Sequence, residues 1–441
     1  MESYKNNINT YNYFLQPIQL LLLGYLLVVL FGTLFLALPI CQINDISFLD
    51  NLFTSTSAVS TTGLVTKSVA DDYTFIGRLA IIIMIQIGGI GYMSIASFVV
   101  LGQGKKLNSS KEELLRNDFS LPNDFSIESF IKNVVIFSLI IETAGAMALL
   151  PSFSHLGFWN GLWHSFFHSV SAFCTAGFGL FNNSFENFRD DFSLNLVISI
   201  LSYLGAIGFI VFTDIWDFFR RKKDRITYTT EIILKFTFFL SIFGTVLIFL
   251  TEPSVVGLPA EKRLLSSFFQ SMTAMTTVGF NTIPVGSLSS SAIFLVILLM
   301  IVGASPSGTG GGIKSTTVTA VYAQMSSVLK GGTKVIFNGR IIPNHRLVTA
   351  SANFTFYIIF LCGGIYILLL TEQMPFYRVF FEAASALGTV GLSTGITGIL
   401  SPLGKITVIF LMFAGRVGPL SVGTALFSAK IKEVEEDDLA I

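Results

Sequence analysis

Charged residues, cysteines and histidines are all scarce in this 441-residue chain. Lysine, arginine, aspartate and glutamate together make up 12% of it, whereas a soluble domain carries about 25%. Hydrophobic residues account for 52%, and the mean hydropathy is +0.71. Such a chain lacks the polar residues needed to cover a water-exposed surface, so we expect it to lie in a lipid bilayer. Its net charge of zero argues against nucleic-acid binding.

Three isolated cysteines, Cys41, Cys174 and Cys362, show no C-x-x-C spacing and predict neither a disulfide framework nor a metal site. His164 and His168 have the spacing of a zinc-protease helix, but Ser165 stands where the catalytic glutamate belongs, so we expect aromatic packing instead. No set of nucleophile and base emerges. The sequence therefore predicts a non-enzyme without a covalent cofactor. The polar start, residues 1–12, does not resemble a cleavable signal.

One pattern is present four times: Phe, three residues, Ser or Thr, Ala, two residues, Thr, one residue, Gly. The four copies begin at Phe53, Phe167, Phe269 and Phe381. Their glycines are 114, 102 and 112 residues apart. A repeat of this length indicates one structural unit used four times.

Long apolar runs flank each motif, and crossing a bilayer takes about 20 apolar residues. We predict first spans near 17–40, 130–150, 232–251 and 349–371, and second spans near 76–101, 192–219, 290–328 and 403–428. The stretches leading into the motifs are too short to cross and predict re-entrant half-helices at 47–60, 159–173, 262–275 and 377–387.

The predicted fold is an all-α integral membrane protein with four span–pore helix–span repeats around one central pore. It has eight spans and four re-entrant half-helices. The repeats are 1–104, 105–222, 223–346 and 347–441, and together they form one pore-forming membrane domain.

Basic residues concentrate between the repeats. They are Lys105, Lys106, Lys111 and Arg116, then Arg220, Arg221, Lys222, Lys223 and Arg225, then Lys330, Lys334, Arg340 and Arg346. The positive-inside rule places these loops and both termini in the cytoplasm, so the motifs open to the outside. The acidic tail, residues 433–438, is expected to be solvated.

Glycine pairs recur in the second spans, as Gly88 with Gly91, Gly205 with Gly208, and Gly415 with Gly418. Small residues at this spacing let helices approach closely or bend, and close packing alone explains the first two pairs. The third repeat differs. Its segment 303–312 holds five glycines and a proline and cannot remain helical. Irregular backbone at membrane depth must be buried in protein or line a wet cavity, so we expect it inside the ion pathway.

Backbone carbonyls of four such loops can replace the water shell of an alkali cation. Glycine permits the backbone angles and the crowding that this requires. The half-helices end at the loops, where their dipoles favour a cation. The predicted potassium filter comprises Thr61, Thr62, Gly63, Thr175, Ala176, Gly177, Thr277, Val278, Gly279, Thr389, Val390 and Gly391.

These motifs resemble those of the Trk/Ktr/HKT superfamily of potassium transporters, and the resemblance covers essentially the whole chain. In that family the filter glycine marks potassium selectivity, and some plant relatives with serine at the first position favour sodium. The chain keeps all four glycines, which implies potassium. Its first span begins within about 20 residues of Met1, like the KtrB-type membrane subunit and unlike the longer Trk type.

The resemblance implies potassium uptake through a channel-like pore in the bacterial inner (plasma) membrane, with an intramembrane gate. The gate residues would be Gly308, Gly310, Gly311, Gly312, Lys314 and Arg416. Arg416 lies deep in the last span and should find oxygen partners such as carbonyls freed by the broken helix. In the family an arginine here is an electrostatic barrier. A packing role for Arg416 and an anchoring role for Lys314 stay open.

By the same resemblance, the subunit would form a homodimer, respond to sodium ions as an activator, and sit on a KtrA-like cytosolic ring of regulatory subunits that alone bind nucleotide. The alternative function is a cation symporter with stoichiometric coupling by alternating access. Glu142 lies inside a predicted span, where we expect it to hydrogen-bond a neighbouring helix rather than relay protons.

Overall fold

The structure is a computed structural model that describes residues 17–103, 112, 115, 126–221 and 223–427. Several predictions fall outside the described residues. They concern the N-terminal segment 1–12, the basic residues Lys105, Lys106, Lys111, Arg116 and Lys222, the acidic tail 433–438, and the two repeat boundaries at 104/105 and 222/223.

Each repeat folds into four main helices in the same order: a first span, a half-helix and the two segments of a second span. Repeat 1 has α1 (Pro17–Leu36), α2 (Phe48–Val59), α3 (Phe75–Ile90) and α4 (Tyr92–Gly102). Repeat 2 has α5 (Ile127–Phe153), α6 (Phe158–Phe173), α7 (Phe192–Ile207) and α8 (Phe209–Phe219). Repeat 3 has α9 (Tyr228–Thr251), α10 (Ala260–Thr276), α11 (Ser290–Ile301) and α12 (Ser315–Leu329). Repeat 4 has α13 (Asn344–Thr371), α14 (Phe376–Leu387), α15 (Pro402–Val417) and α16 (Pro419–Phe427).

Short elements connect these helices. Two four-residue helices, Val69–Asp72 and Pro253–Val256, and five 3-10 turns lie in the connections; the turns are Pro39–Cys41, Ser154–Leu156, Glu186–Phe188, Val285–Ser287 and Thr397–Ile399. Between repeats 3 and 4, the strands β1 (Ile336–Phe337) and β2 (Arg340–Ile341) pair as an antiparallel hairpin.

The first helix of each repeat crosses the bilayer, as the sequence predicts. Among the described residues, four uninterrupted helices are long and apolar enough to do so, and they begin at Ile18, Ile127, Tyr228 and Asn344. Large apolar side chains such as Phe31, Phe238 and Val348 are at least 70% exposed on these helices. That exposure suits contact with lipid rather than water.

The half-helices α2, α6, α10 and α14 confirm the predicted re-entrant segments, and their ends lie within two residues of the predicted ones. They contain between 12 and 17 residues, too few to cross a bilayer. The motif phenylalanines that begin the four patterns are fully buried and fix each half-helix in the core: Phe53, Phe167, Phe269 and Phe381.

The second spans correct one prediction. We expected close packing alone to explain the glycine pairs of the first two second spans and predicted a break in the third, but all four second spans are broken. Gly91, Gly208 and Gly418 have φ angles of 88°, 96° and 97°, which no right-handed helix can pass through. The axes bend by 92° between α7 and α8 and by 98° between α15 and α16. The second glycine of each pair therefore interrupts the span.

The first glycine of each pair confirms the close-packing interpretation. A methyl group added at Gly88, Gly205 or Gly415 would lie less than 3 Å from a backbone carbonyl oxygen. That oxygen belongs to the last residue of the half-helix in the same repeat, namely Val59, Phe173 or Leu387. Glycine thus lets the second span contact the half-helix end that leads into the motif loop.

Candidate functional site

The four motif loops share one unusual backbone conformation. Their threonines have φ angles between 49° and 59°, in the left-handed region that β-branched residues avoid: Thr61, Thr175, Thr277 and Thr389. The motif glycines follow with φ angles between 65° and 93°: Gly63, Gly177, Gly279 and Gly391. Strain repeated four times persists only where the surrounding structure holds it, which is typical of a functional site.

The amide groups of the loops point back to the half-helices. The residue between threonine and glycine donates its N–H to a half-helix carbonyl at 2.8–3.2 Å in each repeat: Thr62 to Ser57, Ala176 to Ser171, Val278 to Thr273, and Val390 to Ser385. In the described part of the chain, no hydrogen bond reaches the carbonyl oxygens of these four donors. Their carbonyl oxygens are therefore free to bind a ligand.

The loops close into a ring. A methyl group added at Gly63 would lie less than 3 Å from the carbonyl oxygen of Ala176 in repeat 2. The same relation holds from Gly177 to Val278, from Gly279 to Val390, and from Gly391 back to Thr62 in repeat 1. Each glycine thus contacts the next repeat in chain order. The structure brings all twelve predicted filter residues together around one axis.

The glycine-rich loop between α11 and α12 crosses this ring on its predicted cytoplasmic side. The hydroxyl of Thr61 donates to the carbonyl oxygen of Thr309 at 3.2 Å, and the hydroxyls of Thr175 and Thr309 are 3.0 Å apart. Gly310 packs against the Thr277 hydroxyl and Gly311 against the Thr389 hydroxyl, so closely that a methyl group at either glycine would overlap it. Three successive loop residues therefore contact all four motif threonines.

The loop is held by the break in the second span of repeat 2. Ser305 N–H donates to the Ala206 carbonyl at 3.0 Å, and Thr309 N–H donates to the Gly205 carbonyl at 3.1 Å. The Ser307 hydroxyl accepts a hydrogen bond from Ile210 N–H at 2.9 Å. The carbonyls and amides that the α7–α8 break leaves without helical partners thus bind the loop.

Arg416, in the last turn of α15, links the loop to two other parts of the site. Its guanidinium donates to the carbonyl oxygens of Thr309 and Gly88, and to that of Gly89 at 3.3 Å. It also donates to the Thr61 hydroxyl at 3.3 Å. The expectation that Arg416 finds carbonyls freed by broken helices is confirmed. Gly88 and Gly89 lie at the broken second span of repeat 1.

A cavity of about 210 Å³ lies on the side of the loop opposite the ring of motif loops. Arg416 and Lys314 both line it, together with Gly308, Gly310 and Gly312. Lys314 Nζ donates to the Gly310 carbonyl at 2.6 Å. Gly311 instead faces the motif threonine Thr389. Two cationic side chains beside one cavity raise the energy of a further cation there.

Two weaker sequence signals, Glu142 and His168, have structural roles in contacts within the protein. Glu142 is buried and accepts hydrogen bonds from Gln86 of α3 at 2.9 Å on both carboxylate oxygens, as expected for a bond to a neighbouring helix. His168 accepts from Leu180 N–H at 3.1 Å and stacks on Phe181, with 5.4 Å between ring centroids. Among the described residues, no three histidine, cysteine or acidic side chains form a metal-binding group.

A contact between the half-helix and the first span recurs in three repeats and was not predicted from the sequence. A half-helix serine donates its hydroxyl to a carbonyl of the preceding first span: Ser55 to Val29 at 2.7 Å, Ser169 to Glu142 at 2.7 Å, and Ser271 to Ser241 at 3.3 Å. Each serine is two residues after the motif phenylalanine, and this spacing was the available signal. Repeat 4 has Ala383 there instead.

Comparison with known proteins is consistent with this geometry. The TrkH family model, described as "Cation transport protein", matches residues 29–435. The chain is 34% identical to Ktr system potassium uptake protein B of Bacillus subtilis, over 92% of both chains. It is 35% identical to the potassium/sodium uptake protein NtpJ of Enterococcus hirae, over 95% of this chain and 94% of the relative. The crystal structure of the potassium transporter TrkH from Vibrio parahaemolyticus matches with a TM-score of 0.74, covering 97% of this chain and 87% of that one; at 18% identity it shows the fold alone.

Proposed function

The chain belongs to the TrkH family of cation transport proteins, and we propose that it is a potassium uptake subunit whose four motif loops form the selectivity filter. It is a multi-pass membrane protein. The observation that carries the proposal is the closed ring of glycines and carbonyls, since each filter glycine packs on the carbonyl of the next repeat. A ring of unbonded carbonyl oxygens can replace the hydration shell of an alkali cation.

Potassium is the proposed substrate for two reasons. The curated relatives named above are a potassium uptake protein and a potassium/sodium uptake protein. All four filter positions are glycine in this chain, the pattern that the family resemblance associates with potassium. The half-helix C-termini end at the loops, and their dipoles favour a cation over an anion there.

The glycine-rich loop and Arg416 are the proposed gate. The loop contacts every filter threonine, and Arg416 ties it to the broken second span of repeat 1. In this arrangement the loop blocks the exit from the filter, and the charges of Arg416 and Lys314 oppose a cation in the cavity beyond. Opening requires the loop to move away from the threonines.

The membrane potential supplies the driving force. Moving one elementary charge across 100 mV is worth about 2.3 kcal/mol, so a negative cell interior draws potassium inward. Uptake then needs no nucleotide hydrolysis by this chain.

Assembly and regulation extend the proposal. Two copies form a homodimer in the bacterial plasma membrane, with both termini and the basic loops in the cytoplasm. There they meet a KtrA-like ring of nucleotide-binding subunits. Sodium stimulates uptake. What supports this is the Ktr system named for the relatives and the clustering of basic residues between repeats.

The direct test is ion uptake into vesicles that contain the purified chain. Rubidium, as a potassium substitute, and sodium are measured first with this subunit alone, then with a cytosolic regulatory partner and nucleotide. We expect rubidium uptake to exceed sodium uptake and to change when the partner and nucleotide are added. Equal rubidium and sodium uptake in every condition would refute the selective filter.

A further inference from the structure

A large groove opens on the lipid-facing surface between repeats 2 and 3. Its volume is about 810 Å³, and it lies between α7, α9 and the half-helix α10. Phe238, Ile242 and Val246 of α9 form one wall, and Leu264 and Phe268 of α10 form another. Because α9 spans the membrane, the groove lies at bilayer depth, where the surrounding solvent is hydrocarbon.

The hydroxyls of Tyr203, Ser241 and Thr245, which line the groove, make hydrogen bonds within the protein. The hydroxyl of Tyr203 of α7 hydrogen-bonds that of Ser241 of α9 at the groove floor. The Tyr203 ring lies 6.2 Å from the Phe268 ring, centroid to centroid. With these hydroxyls satisfied, the groove offers its occupant an apolar surface, which suits a hydrocarbon chain.

The dimensions of the groove fit one acyl chain. Phe238, Ile242 and Val246 are four residues apart and share one face of α9. Lys235 lines the groove one turn nearer the predicted cytoplasmic end of the helix. The rise from Lys235 to Val246 is about 16 Å at 1.5 Å per residue, close to the roughly 15 Å depth of one leaflet's hydrocarbon.

The predicted cytoplasmic end of the groove carries positive charge. Lys235 Nζ lies 2.6 Å from a Glu231 carboxylate oxygen. The guanidinium of Arg340 lies over the Tyr228 ring, 5.0 Å from its centroid, and Tyr228 is three residues before Glu231 on the same face of α9. Two cations thus face one carboxylate. Such a surplus at the cytoplasmic surface attracts an anionic lipid headgroup, and the lysine stem can extend along the apolar wall toward it.

The groove also approaches the glycine-rich loop. Thr237 lines both the groove and a smaller pocket next to it. That pocket is bounded by Gly303, Ala304 and Ser305 at the start of the loop. Thr237 therefore connects the lining of the groove with the first residues of the loop that is proposed to block the filter.

We propose that the groove is a binding site for one acyl chain of an anionic phospholipid, and that its occupancy biases the position of the glycine-rich loop. The proposed lipid-binding site depends only on the geometry and charge of the groove. The effect on the loop rests on the proposed transport function, so binding and flux are tested separately.

Binding is measured by fluorescence quenching with brominated lipids, which quench tryptophan on contact. Phe238→Trp places a reporter in the groove. Phe239→Trp is the matched control, because Phe239 is 66% exposed on the same helix, against 70% for Phe238, but does not line the groove. The signal of the three native tryptophans is subtracted with the parent protein. Reconstitution uses brominated phosphatidylglycerol or brominated phosphatidylcholine at low mole fraction.

We expect phosphatidylglycerol to quench Phe238→Trp at least about threefold more than Phe239→Trp, and Lys235→Gln to remove the preference for the anionic lipid. Equal quenching at both positions would mean ordinary boundary lipid and would overturn the site. Protection of Phe238→Trp from both lipids would also overturn it, since a second protein copy would then cover the groove.

Coupling is measured as the dependence of rubidium flux on the fraction of phosphatidylglycerol. Ile242→Trp fills the groove, and Ile359→Trp makes the same change at an equally lipid-exposed position of α13. We expect a flux change of at least about threefold between low and high phosphatidylglycerol in the parent and in Ile359→Trp, and none in Ile242→Trp. Persistence of the lipid effect in Ile242→Trp would overturn the coupling. Absence of rubidium flux in every lipid would instead count against the transport proposal and leave the quenching test intact.

Discussion

Each filter glycine is constrained twice, by its own positive φ angle and by a carbonyl oxygen of the next repeat. The φ angles alone would strain any other residue. The neighbouring carbonyl removes the space for a side chain as well. The two constraints have different consequences, because strain affects one loop whereas crowding pushes the carbonyl of the following repeat out of the ring.

Replacement of Gly63 by serine separates these effects. The new side chain would displace the Ala176 carbonyl, since even its Cβ would lie less than 3 Å away. We expect discrimination between potassium and sodium to fall about tenfold, which corresponds to about 1.4 kcal/mol. The control is Gly395→Ser, because Gly395 has a φ of 90° but, in the part of the chain that the structure describes, no atom lies within 4 Å of an added Cβ. Competitive uptake of rubidium and sodium measures the ratio; loss of discrimination in both variants alike would point to general loop strain.

Arg416 adds a charge to the same region. A unit charge about 6 Å from a cation opposes it by about 3 kcal/mol at an effective dielectric constant of 20. Arg416→Ala removes this charge and the bridge from Thr309 to Gly88, so we expect basal rubidium flux to rise several-fold. Arg416→Lys keeps the positive charge but loses the planar guanidinium that bonds both carbonyl oxygens. Its basal rubidium flux should lie between the flux of the parent and that of Arg416→Ala. Parental flux in a well-folded Arg416→Ala protein would assign Arg416 to packing.

At the level of helices and loops, the close contact between second span and half-helix should be visible in stability. Gly205→Ala places a methyl group against the Phe173 carbonyl and should destabilise the fold by about 1–3 kcal/mol. Gly363→Ala in α13 meets no atom of the described residues within 4 Å and should be neutral or stabilising by up to about 1 kcal/mol, because alanine favours helix. Thermal unfolding in detergent compares the two. Equal melting temperatures would show that α7 can shift away from α6 without cost.

The glycine-rich loop is the element whose removal should change transport most. Deletion of Gly310 and Gly311 withdraws the loop from Thr277 and Thr389, so we expect basal rubidium flux to increase several-fold. A two-residue deletion at the turn of the β-hairpin, Asn338 and Gly339, controls for shortening the chain elsewhere. If flux disappears while the deleted protein still folds, the loop supports conduction and is no barrier.

The half-helices and first spans were predictable because local patterns define them. An apolar run of span length and a polar Thr-x-Gly stretch after a short helix are both visible in the sequence. The breaks at Gly91 and Gly208 were not, since a single glycine costs a helix only about 1 kcal/mol and is tolerated in many helices. What interrupts the helix there is tertiary: at Gly208, for example, the freed backbone binds Ser307 of a different repeat.

The candidate site was likewise predictable only where local sequence patterns define it. The sequence placed the twelve filter residues on four equivalent loops, but only the packing of Gly63 on Ala176 and its three equivalents shows that the loops close into one ring. The loop carbonyls were predicted as partners of Arg416. Its contacts with Gly88 and Gly89 were not, because they depend on how the broken second spans of repeats 1 and 4 meet.

Over the whole molecule, the site is symmetric on one side and asymmetric on the other. The proposed filter repeats the same backbone in all four units, whereas the proposed gate uses a loop of repeat 3 and an arginine of repeat 4. A symmetric ring gives a cation equivalent ligands from every direction. An asymmetric closure lets a single element open the path while the filter stays intact.

This arrangement predicts a pore rather than a coupled carrier. Carriers with internal repeats usually bind substrate between two repeats that rock against each other, whereas here four loops contact one another in a closed ring. Rocking would break at least two of those contacts in each cycle. We therefore expect the reversal potential of a reconstituted membrane to follow the potassium gradient alone and to be unchanged by a sodium gradient imposed at constant potassium. The potassium/sodium relative motivates the comparison. A shift of the reversal potential in proportion to the sodium gradient could arise from stoichiometric coupling or from sodium passing through a pore. Sodium passage should increase in Gly63→Ser, so an equal shift in the parent and in Gly63→Ser would establish stoichiometric coupling and exclude the pore.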